Sequence, residues 1–465
     1  MDINLYNTAE RKTVPFKPLT VGQVNIYNCG PTVYDYAHIG NLRAFTMADI
    51  IRRTFEYNGY KVNQVMNITD VGHLTNDEDE GEDKIELGAK RDNKSPLEIA
   101  KFYTDQFLKD SKQLNLLEPL ARPRATEFIK QMIEMVEILV AKDYAYVTKT
   151  AVYFDVLKFP GYGALSGQKL AEKKTGVRKE VVIDDGKRNP QDFRLWQLDQ
   201  PNHLLKWDSP WGEGFPGWHI ECSAMSKFYL GETLDIHTGG IDHIAVHHTN
   251  EIAQSEAANG KKYSNYWYHN EFILVDGIKM SKSKNNFYNL ADIIKKDYTA
   301  LDLRYLFFTV HFRQMQNFTW QALSASKSAL QRLMREVKQL KLETSTTEIS
   351  QNWQTKFKDT INNDFNMPEA LAIVWELLKS TESSEIKLGT ILSFDQILGF
   401  NLAELKFAQL TNTENMEIES LIKARLDAKL KKDWQEADRI RQSLLASYNV
   451  EIKDSGNETT WSVRM

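Results

Sequence analysis

A β-α-β unit near the start of the chain constrains the fold more than any other feature of the sequence. Residues 23 to 29 predict a strand, residues 42 to 57 an amphipathic helix, and residues 61 to 67 a second short strand. The apolar stripe of the helix consists of Leu42, Phe45, Ala48, Ile51 and Phe55. Because a helix joins the two strands, we expect a parallel, Rossmann-like sheet of the α/β class, with ligands at the carboxyl ends of its strands.

The rest of the chain predicts further domains around this sheet. Its 465 residues are enough for two to four domains. We expect two halves of the α/β domain at 1–119 and 204–304, an inserted subdomain at 120–203, a helical bundle at 305–405 and a small α+β C-terminal domain at 406–465. Within these parts we predict long helices at 321–342, 352–400 and 416–447, a β-hairpin at 448–465, and a solvated acidic loop at 76–84.

Composition excludes several classes of protein. The sequence is 42% hydrophobic and 26% charged, which is typical of a globular chain. It has no signal-peptide pattern and no apolar run of membrane-spanning length. Two cysteines argue against a disulfide framework and favour a reducing cytoplasm. The net charge of -5 neither indicates nor excludes binding to nucleic acid. We expect a cytoplasmic monomer that does not bind a membrane.

The two cysteines and one histidine-rich segment predict a metal site. Cys29 follows the first strand, at the sheet edge where ligands bind, and Cys222 lies far downstream. His247 and Glu251 are four residues apart, so they share one face of a helix. Two thiolates, an imidazole and a carboxylate form a zinc ligand set. The alternative is that each cysteine packs as a small hydrophobe. Because the ligands are scattered, we expect a metal inside a folded pocket, where it would contact a substrate.

Two further motifs suit a polyphosphate. Lys279-Met280-Ser281-Lys282-Ser283 offers cations and hydroxyl donors on a loop. His38-Ile39-Gly40-Asn41 lies at the predicted N-terminus of a helix, where free N–H groups and the helix dipole favour phosphate. Taken alone, a lysine-rich loop is usually a solvated turn and a lone His-x-Gly means little. Together, and in this order, the two motifs indicate a nucleotide site.

This pair of motifs resembles the HIGH and KMSKS signatures of class I aminoacyl-tRNA synthetases. Asn41 replaces the last histidine of the first signature, which keeps a hydrogen-bond donor but loses a possible positive charge. The wider sequence is similar to cysteinyl-tRNA synthetase nearly from end to end. The segments that carry this resemblance are 27–35, 67–70, 217–225, 235–240 and 247–255. The chain departs from the family at 71–83, where Val-Gly-His-Leu and the acidic loop intervene, and at Val246 and Thr249.

The resemblance implies a two-step reaction. Cysteine and ATP would give cysteinyl-adenylate, and the terminal ribose of a cysteine tRNA would then take the cysteinyl group. Zinc would be held by Cys29, Cys222, His247 and Glu251. It would select cysteine over serine, because zinc binds thiolate sulfur more strongly than a neutral hydroxyl. The expected catalytic residues are His38, Asn41, Lys279 and Lys282, with Mg²⁺ assisting.

Further residues complete the expected sites. For ATP we expect His38, Gly40, Asn41, Gly239, Gly240, Asp242, Lys279 and Lys282. For the substrate cysteine we expect Gly30, Thr69, Trp218 and His237, although a core tryptophan and a structural histidine are equally ordinary interpretations. For tRNA we expect Arg425, Lys432, Trp434 and Trp461. Acidic residues alternate with these cations, so an ordinary charged helix is an equal alternative.

Three other functions stay open on sequence alone. A ligase that joins cysteine to an amino sugar would share the zinc and phosphate motifs but would not need the long helical tail. A non-catalytic tRNA-binding paralogue would be free to lose the lysine loop. A structural zinc protein would not need Lys279 and Lys282.

Overall fold

The strands of the chain form one central parallel sheet and several small sheets around it. This computed structural model describes residues 2–72, 74–76, 80–167, 186–198, 203–281, 286–405, 412–448, 450–455 and 458–463. The strands are β1 (Asn4–Asn7), β2 (Lys12–Pro15), β3 (Gln23–Asn28), β4 (Lys61–Met66), β5 (Leu74–Asn76), β6 (Glu80–Asp83), β7 (Ala145–Val147), β8 (Ala151–Phe154), β9 (Phe193–Gln197), β10 (Phe215–Pro216), β11 (Leu234–Gly240), β12 (Ser264–Asn270), β13 (Ile273–Val275), β14 (Ile278–Lys279), β15 (Gln316–Phe318), β16 (Val450–Ser455) and β17 (Glu458–Val463).

The helices supply the layers that cover these sheets. They are α1 (Ile39–Tyr57), α2 (Lys84–Asp92), α3 (Pro96–Gln113), α4 (Ile129–Ala141), α5 (Trp218–Leu230), α6 (His247–Asn259), α7 (Leu290–Lys295), α8 (Ala300–Phe308), α9 (Trp320–Glu343), α10 (Gln351–Ile361), α11 (Met367–Lys379), α12 (Ser384–Leu398), α13 (Asn412–Leu430) and α14 (Trp434–Tyr448). In the described part of the chain, none of them is both long and apolar enough to cross a membrane.

The central sheet has the strand order β12-β11-β3-β4, and every neighbouring pair is parallel. Ile26 on β3 pairs with Ile236 on β11, which pairs in turn with Tyr266 on β12. α1 connects β3 to β4, as the predicted β-α-β unit requires, and the stripe that begins at Leu42 is buried along its length. The carboxyl ends of all four strands therefore meet at one edge, where ligands bind in such sheets.

An inserted region separates the two halves of this sheet in the sequence. It contains α4 and strands β7, β8 and β9, and β10 from the following segment joins them in an antiparallel sheet of order β10-β9-β8-β7. Its apolar side chains, Trp196 and Phe154 among them, belong to the same hydrophobic core as residues of β3 and α5. The inserted region is thus packed onto the parallel sheet through a shared core.

The chain divides into two compact units. One comprises residues 1–328 and 346–400, and the other comprises residues 329–345 and 401–465. In the second unit, α13, α14 and the β16–β17 hairpin enclose a small core around Ile418, Ile440 and Leu444.

Two of the long predicted helices are interrupted. The stretch 352–400 forms three helices, and the first break contains Asp364 and Phe365 in the left-handed conformation. The stretch 416–447 forms two helices, with Lys432 at φ 61° in the turn between them. The two stretches thus contain three breaks, and the sequence does carry signals for the two within 352–400: Asn366 caps α11 with Pro368 in its first turn, and a polar run fills 380–384. The predicted hairpin near the C-terminus is confirmed.

Candidate active site

Four side chains from three elements converge at the carboxyl edge of the central sheet. Cys29 directly follows β3, Cys222 lies on α5, and His247 and Glu251 lie one turn apart on α6. Their donor atoms all lie within 4.8 Å of one another. Cys222, His247 and Glu251 are buried, and Cys29 is half-buried. The structure thus brings together the four residues predicted to hold zinc.

Additional histidines crowd the same point. His237 Nε2 lies 2.6 Å from Glu251 Oε2, and His248 Nε2 lies 3.3 Å from Cys29 Sγ. His237, His243 and His248 form two further groups of potential metal donors together with the predicted ones. All three groups are equally compact and share Cys29. The sequence analysis placed His237 in the cysteine pocket and did not anticipate its contact with Glu251. The sequence does contain a signal for this histidine cluster, because five of the ten histidines lie between residues 237 and 269.

The four predicted donors influence one another's ionisation. Burial and the hydrogen bond to Cys222 raise the pKa of Cys29 well above its ordinary value. The hydrogen bond from Cys29, together with His247, lowers the pKa of Cys222 to about 6 despite its burial. Burial disfavours the charged form of His247, but Glu251 and Cys222 outweigh it and raise the pKa of His247 to about 10. Burial likewise opposes ionisation of Glu251, yet His237 and His247 hold its pKa well below the ordinary range.

The resulting charge pattern fits a cation. The shifts in pKa favour the anionic forms of Cys222 and Glu251 and the protonated form of His247, so two of the four donors tend to carry negative charge in a buried cluster. A divalent ion would neutralise this charge and displace the proton from His247. Sulfur, nitrogen and carboxylate oxygen donors at this spacing are the ligands that zinc takes in proteins.

Residues predicted to hold the substrate cysteine surround this cluster. The indole of Trp218 stacks on His247, with ring centroids 4.3 Å apart. The Gly30 N–H donates to Asn67 Oδ1 at 2.8 Å, and the Thr69 hydroxyl accepts from the Asn67 amide. A Cβ on Gly30 would lie only 1.7 Å from the Asn67 carbonyl oxygen, so this close approach requires glycine.

The N-terminus of α1 forms the adjacent side of the cleft. His38 caps the helix, and its Nδ1 accepts from the backbone N–H groups of Gly40 and Asn41. The Asn41 side-chain oxygen accepts from the His38 N–H at 3.2 Å, which completes a capping box. Because Nδ1 is an acceptor, a neutral His38 carries its proton on Nε2.

The lysine-rich loop meets this helix end. The Ile39 N–H donates to the Tyr288 carbonyl, and the Met280 side chain lies against Gly40. Lys279 is exposed, with its ammonium 5.1 Å from the centre of the Phe272 ring. Lys282 lies outside the described residues.

The end of β11 borders both groups of residues. Gly239 lies against the imidazoles of His243 and His248, and the Asp242 carboxylate lies against Gly240. Gly239 and Gly240 thus end β11 beside histidines of the donor cluster, and Asp242 follows in the next turn.

The residues predicted to bind tRNA differ in their exposure to solvent and in the contacts that they already make within the protein. Arg425 is buried and donates to both oxygens of Asp454, at 3.0 and 2.9 Å, so this guanidinium is committed within its own unit. Trp461 is half-buried against the small core of that unit. Trp434, by contrast, is 60% exposed at the start of α14, and Lys432 is exposed in the turn before it.

The fold and this cleft define a class I tRNA synthetase. A family model for the class I (C) tRNA synthetase catalytic domain matches residues 15–328. A Mycobacterium tuberculosis methionyl-tRNA synthetase structure with bound methionyl-adenylate covers 83% of this chain and 93% of its own, at TM-score 0.58 and 14% identity. An Agrobacterium radiobacter LeuRS–tRNA complex covers 83% and 84%, at TM-score 0.59 and 11% identity. These two structures show the fold, and the predicted α/β class I architecture is confirmed.

Closer relatives identify the particular family. A cysteine–tRNA ligase from Treponema denticola is 44% identical over 99% of both chains. Cysteine–tRNA ligase 1 from Burkholderia lata is 44% identical over 96% of this chain and 94% of its own. The Thermus thermophilus cysteine–tRNA ligase is 39% identical over 99% of both chains. The chain belongs to the cysteine–tRNA ligase family.

Proposed function

We propose that the protein activates cysteine with ATP and transfers it to the 3′ end of a cysteine tRNA. The observation that carries this proposal is the convergence of Cys29, Cys222, His247 and Glu251 beside the capped N-terminus of α1. A thiol-selecting donor cluster and a phosphate-binding helix end are the two elements that such a ligase requires. We place this activity in the cytoplasm, as two unpaired thiols favour.

The donor cluster supports zinc as the resident metal. Cys29, Cys222, His247 and Glu251 would hold it, and when bound it would favour a substrate thiolate over the hydroxyl of serine. A hydrophobic pocket alone discriminates such similar substrates by only about a hundredfold. Trp218, Gly30, Thr69 and His237 would hold and orient the rest of the substrate.

Residues of the protein would position ATP for the first step, in which cysteine and ATP give cysteinyl-adenylate. The His38 Nε2–H and the Asn41 amide would donate to the phosphate at the N-terminus of α1, where the helix dipole also favours negative charge. Lys279 and Lys282, with Mg²⁺, would stabilise the charge on the departing pyrophosphate. Gly240 and its neighbour Gly239 leave space for the nucleotide, and Asp242 would accept from the ribose hydroxyls. The carboxylate of cysteine needs no covalent enzyme group for this attack.

The domain assignment follows from these roles. Residues 1–119 and 204–304 would form the catalytic domain around the inserted region 120–203. Residues 305–405 and 406–465 would contact tRNA, with Lys432, Trp434 and Trp461 near the anticodon and Arg425 supporting them. We expect the enzyme to act as a monomer.

Cysteine-dependent exchange of pyrophosphate into ATP, followed by charging of a cysteine tRNA transcript, tests this function. We expect exchange with cysteine at a rate at least about a hundredfold above that with serine, and charging of the transcript. Absence of exchange would refute the proposal. Exchange without charging would instead favour a ligase that acts on another cysteine acceptor, such as an amino sugar.

A further inference from the structure

Glu221 is a buried carboxyl beside the donor cluster that has no part in the steps described so far. It lies on α5 directly before Cys222, and it is 0% exposed. Neither of its carboxyl oxygens makes a hydrogen bond with the described residues. Because an unpaired buried polar group is costly in free energy, we expect this carboxyl to have a partner when the enzyme works.

The charged neighbours of Glu221 are acids. Burial and the nearby Cys222, Asp70 and Asp83 raise the pKa of Glu221 well above its ordinary value, while the Thr69 hydroxyl opposes this rise. Asp70 and Asp83 are buried as well. A positively charged group of a ligand would therefore be favoured in this part of the pocket.

Thr69 connects Glu221 to the proposed cysteine pocket. The Thr69 hydroxyl accepts from Asn67 Nδ2 at 3.0 Å, and Asn67 Oδ1 accepts from the Gly30 N–H at 2.8 Å. A hydroxyl has one proton to donate and two lone pairs that accept, and the Asn67 amide occupies one of these lone pairs. The second lone pair can serve a ligand when the proton is donated elsewhere, and the neighbouring Glu221 carboxyl is an acceptor for it.

The chain after Thr69 holds the Glu221 carboxyl in place. Gly72 has φ 74°, and a Cβ on it would lie 3.4 Å from Glu221 Oε1 and 2.5 Å from the Pro216 carbonyl oxygen. The Gly72 N–H donates to Asp83 at 3.0 Å. Both the positive φ and the approach to Pro216 require glycine. This backbone therefore packs against Glu221 and helps to bury it.

We infer that Glu221 is a positioning residue for the α-ammonium group of the substrate cysteine. It accepts the proton of the Thr69 hydroxyl, so that the second lone pair of Thr69 faces the ammonium. This inference rests on the proposed function, in which the thiol meets the donor cluster and the carboxylate meets ATP. The ammonium is the remaining polar group of cysteine. Since the protonated and the ionised carboxyl both keep an oxygen that accepts, the role does not depend on the charge of Glu221.

Binding of two ligands to the zinc-loaded protein tests the inference. The probes are cysteine and 3-mercaptopropionate, which keeps the thiol and the carboxylate but lacks the ammonium. Glu221→Met removes the acceptor, and we expect it to raise the Kd of cysteine about tenfold, as loss of one hydrogen bond to a charged group does. The Kd of 3-mercaptopropionate should change by less than about twofold, and zinc content should not change. Glu221→Gln keeps an acceptor oxygen and should stay within about threefold of wild type.

Glu86→Met is the matched control, because Glu86 is a buried carboxyl that already accepts from the Leu204 N–H at 2.6 Å. It should lower the unfolding temperature and leave both Kd values unchanged. Glu221→Met removes an unpaired group, so it should not lower the unfolding temperature.

Three results would overturn the inference: equal increases in Kd for both ligands, an unchanged Kd for cysteine in Glu221→Met, or a loss in Glu221→Gln as large as in Glu221→Met. Loss of zinc from Glu221→Met would assign the residue to the metal site and also overturn it. The proposed function fails separately, if the wild-type protein neither exchanges pyrophosphate nor charges tRNA.

Discussion

Asn41 serves both the local structure and the proposed chemistry. Its side-chain oxygen accepts the His38 N–H, while His38 accepts two N–H groups from the first turn of α1. The side-chain NH₂ of Asn41 remains available as a donor. This geometry explains how asparagine replaces the histidine of the class signature, because an amide can close the capping box and still donate a hydrogen bond.

Asn41→Ala removes half of this capping box. We expect the free energy of unfolding to fall by about 1 kcal/mol, because the His38 backbone N–H loses its hydrogen-bond acceptor. We expect pyrophosphate exchange to slow by about tenfold or more, because the proposed phosphate site loses the Asn41 amide donor. Urea unfolding and the exchange assay measure the two effects. Thr299→Ala breaks an equivalent capping box on α8 and should cost similar stability without slowing exchange. Equal slowing in both variants would mean that stability alone explains the loss.

Cys222→Ser tests the donor cluster at a single atom. Serine nearly preserves the shape of the side chain but loses the thiolate, so zinc content should fall and cysteine activation should drop by more than about a hundredfold. Metal analysis and exchange kinetics measure these changes. Met225→Leu alters a buried apolar residue on the same helix that offers no donor to the cluster, and it should retain both zinc and activity. Full zinc occupancy in Cys222→Ser would contradict the assignment.

At the scale of elements, a buried ion-pair network joins α1 to the helices that follow the sheet. Asp49 Oδ2 accepts from Arg53 at 2.8 Å and from Arg304 on α8 at 2.6 Å. Arg304 also donates to the Leu398 carbonyl at the end of α12. The carboxylate and the two guanidinium groups thus form ion pairs with one another, and the guanidinium of Arg304 also donates to a backbone carbonyl. α1 is thereby fixed to α8 and to the C-terminal end of α12.

Asp49→Asn should destabilise the protein by about 3–5 kcal/mol at pH 7, because two buried arginines lose their counter-ion. Burial opposes ionisation of Asp49, but Arg53 and Arg304 outweigh it and lower the pKa of this carboxyl. Since the folded pKa lies below the unfolded value of about 3.9, the contribution is present above pH 4 and is lost as pH falls through the folded pKa.

Urea unfolding of wild type and Asp49→Asn between pH 3 and pH 7 measures this effect. The difference between the two proteins should shrink as the solution is acidified below about pH 4. Asp105→Asn is the control, since Asp105 is exposed and pairs only with the exposed Lys101, and it should cost less than about 1 kcal/mol. A difference that stays constant with pH would contradict the role of Asp49.

At the scale of the whole molecule, the described residues form two compact units with separate cores. The larger unit holds every described residue that we assign to ATP, cysteine and metal. The smaller unit holds the exposed Lys432 and Trp434, while its buried Arg425 is occupied by Asp454. Cysteine activation should therefore be separable from the tRNA contacts that the smaller unit makes.

Trp434→Ala tests this separation. An exposed indole that stacks on a base contributes about 1–3 kcal/mol, so we expect the KM for tRNA to rise by roughly fivefold to a hundredfold. Pyrophosphate exchange should not change. Leu430→Ala removes another exposed apolar side chain from the same unit, where Leu430 is 83% exposed, and should leave both values unaltered. An unchanged KM in Trp434→Ala would exclude this residue from tRNA binding.

Much of the fold and the candidate site follows from local sequence patterns. The β-α-β start is visible because strand and helix periodicities depend on neighbours within one element. The candidate metal donors are visible because the sequence has only two cysteines and because His247 and Glu251 are four residues apart, which is about one helical turn. The breaks within 352–400 and 416–447 were missed, because the prediction followed the apolar residues and did not treat Pro368 or the polar run at 380–384 as helix boundaries.

The sequence alone thus determined the class of fold, and it singled out the four candidate donors and the two candidate phosphate motifs. Tertiary structure decided how the side chains pair: His237 with Glu251, Arg425 with Asp454, and Asp49 with Arg304. It also placed the Arg11 guanidinium against Gly167. These contacts join residues on different elements, up to 255 positions apart in the case of Asp49 and Arg304. Local periodicity carries no information about such pairs, because they form only when the elements pack.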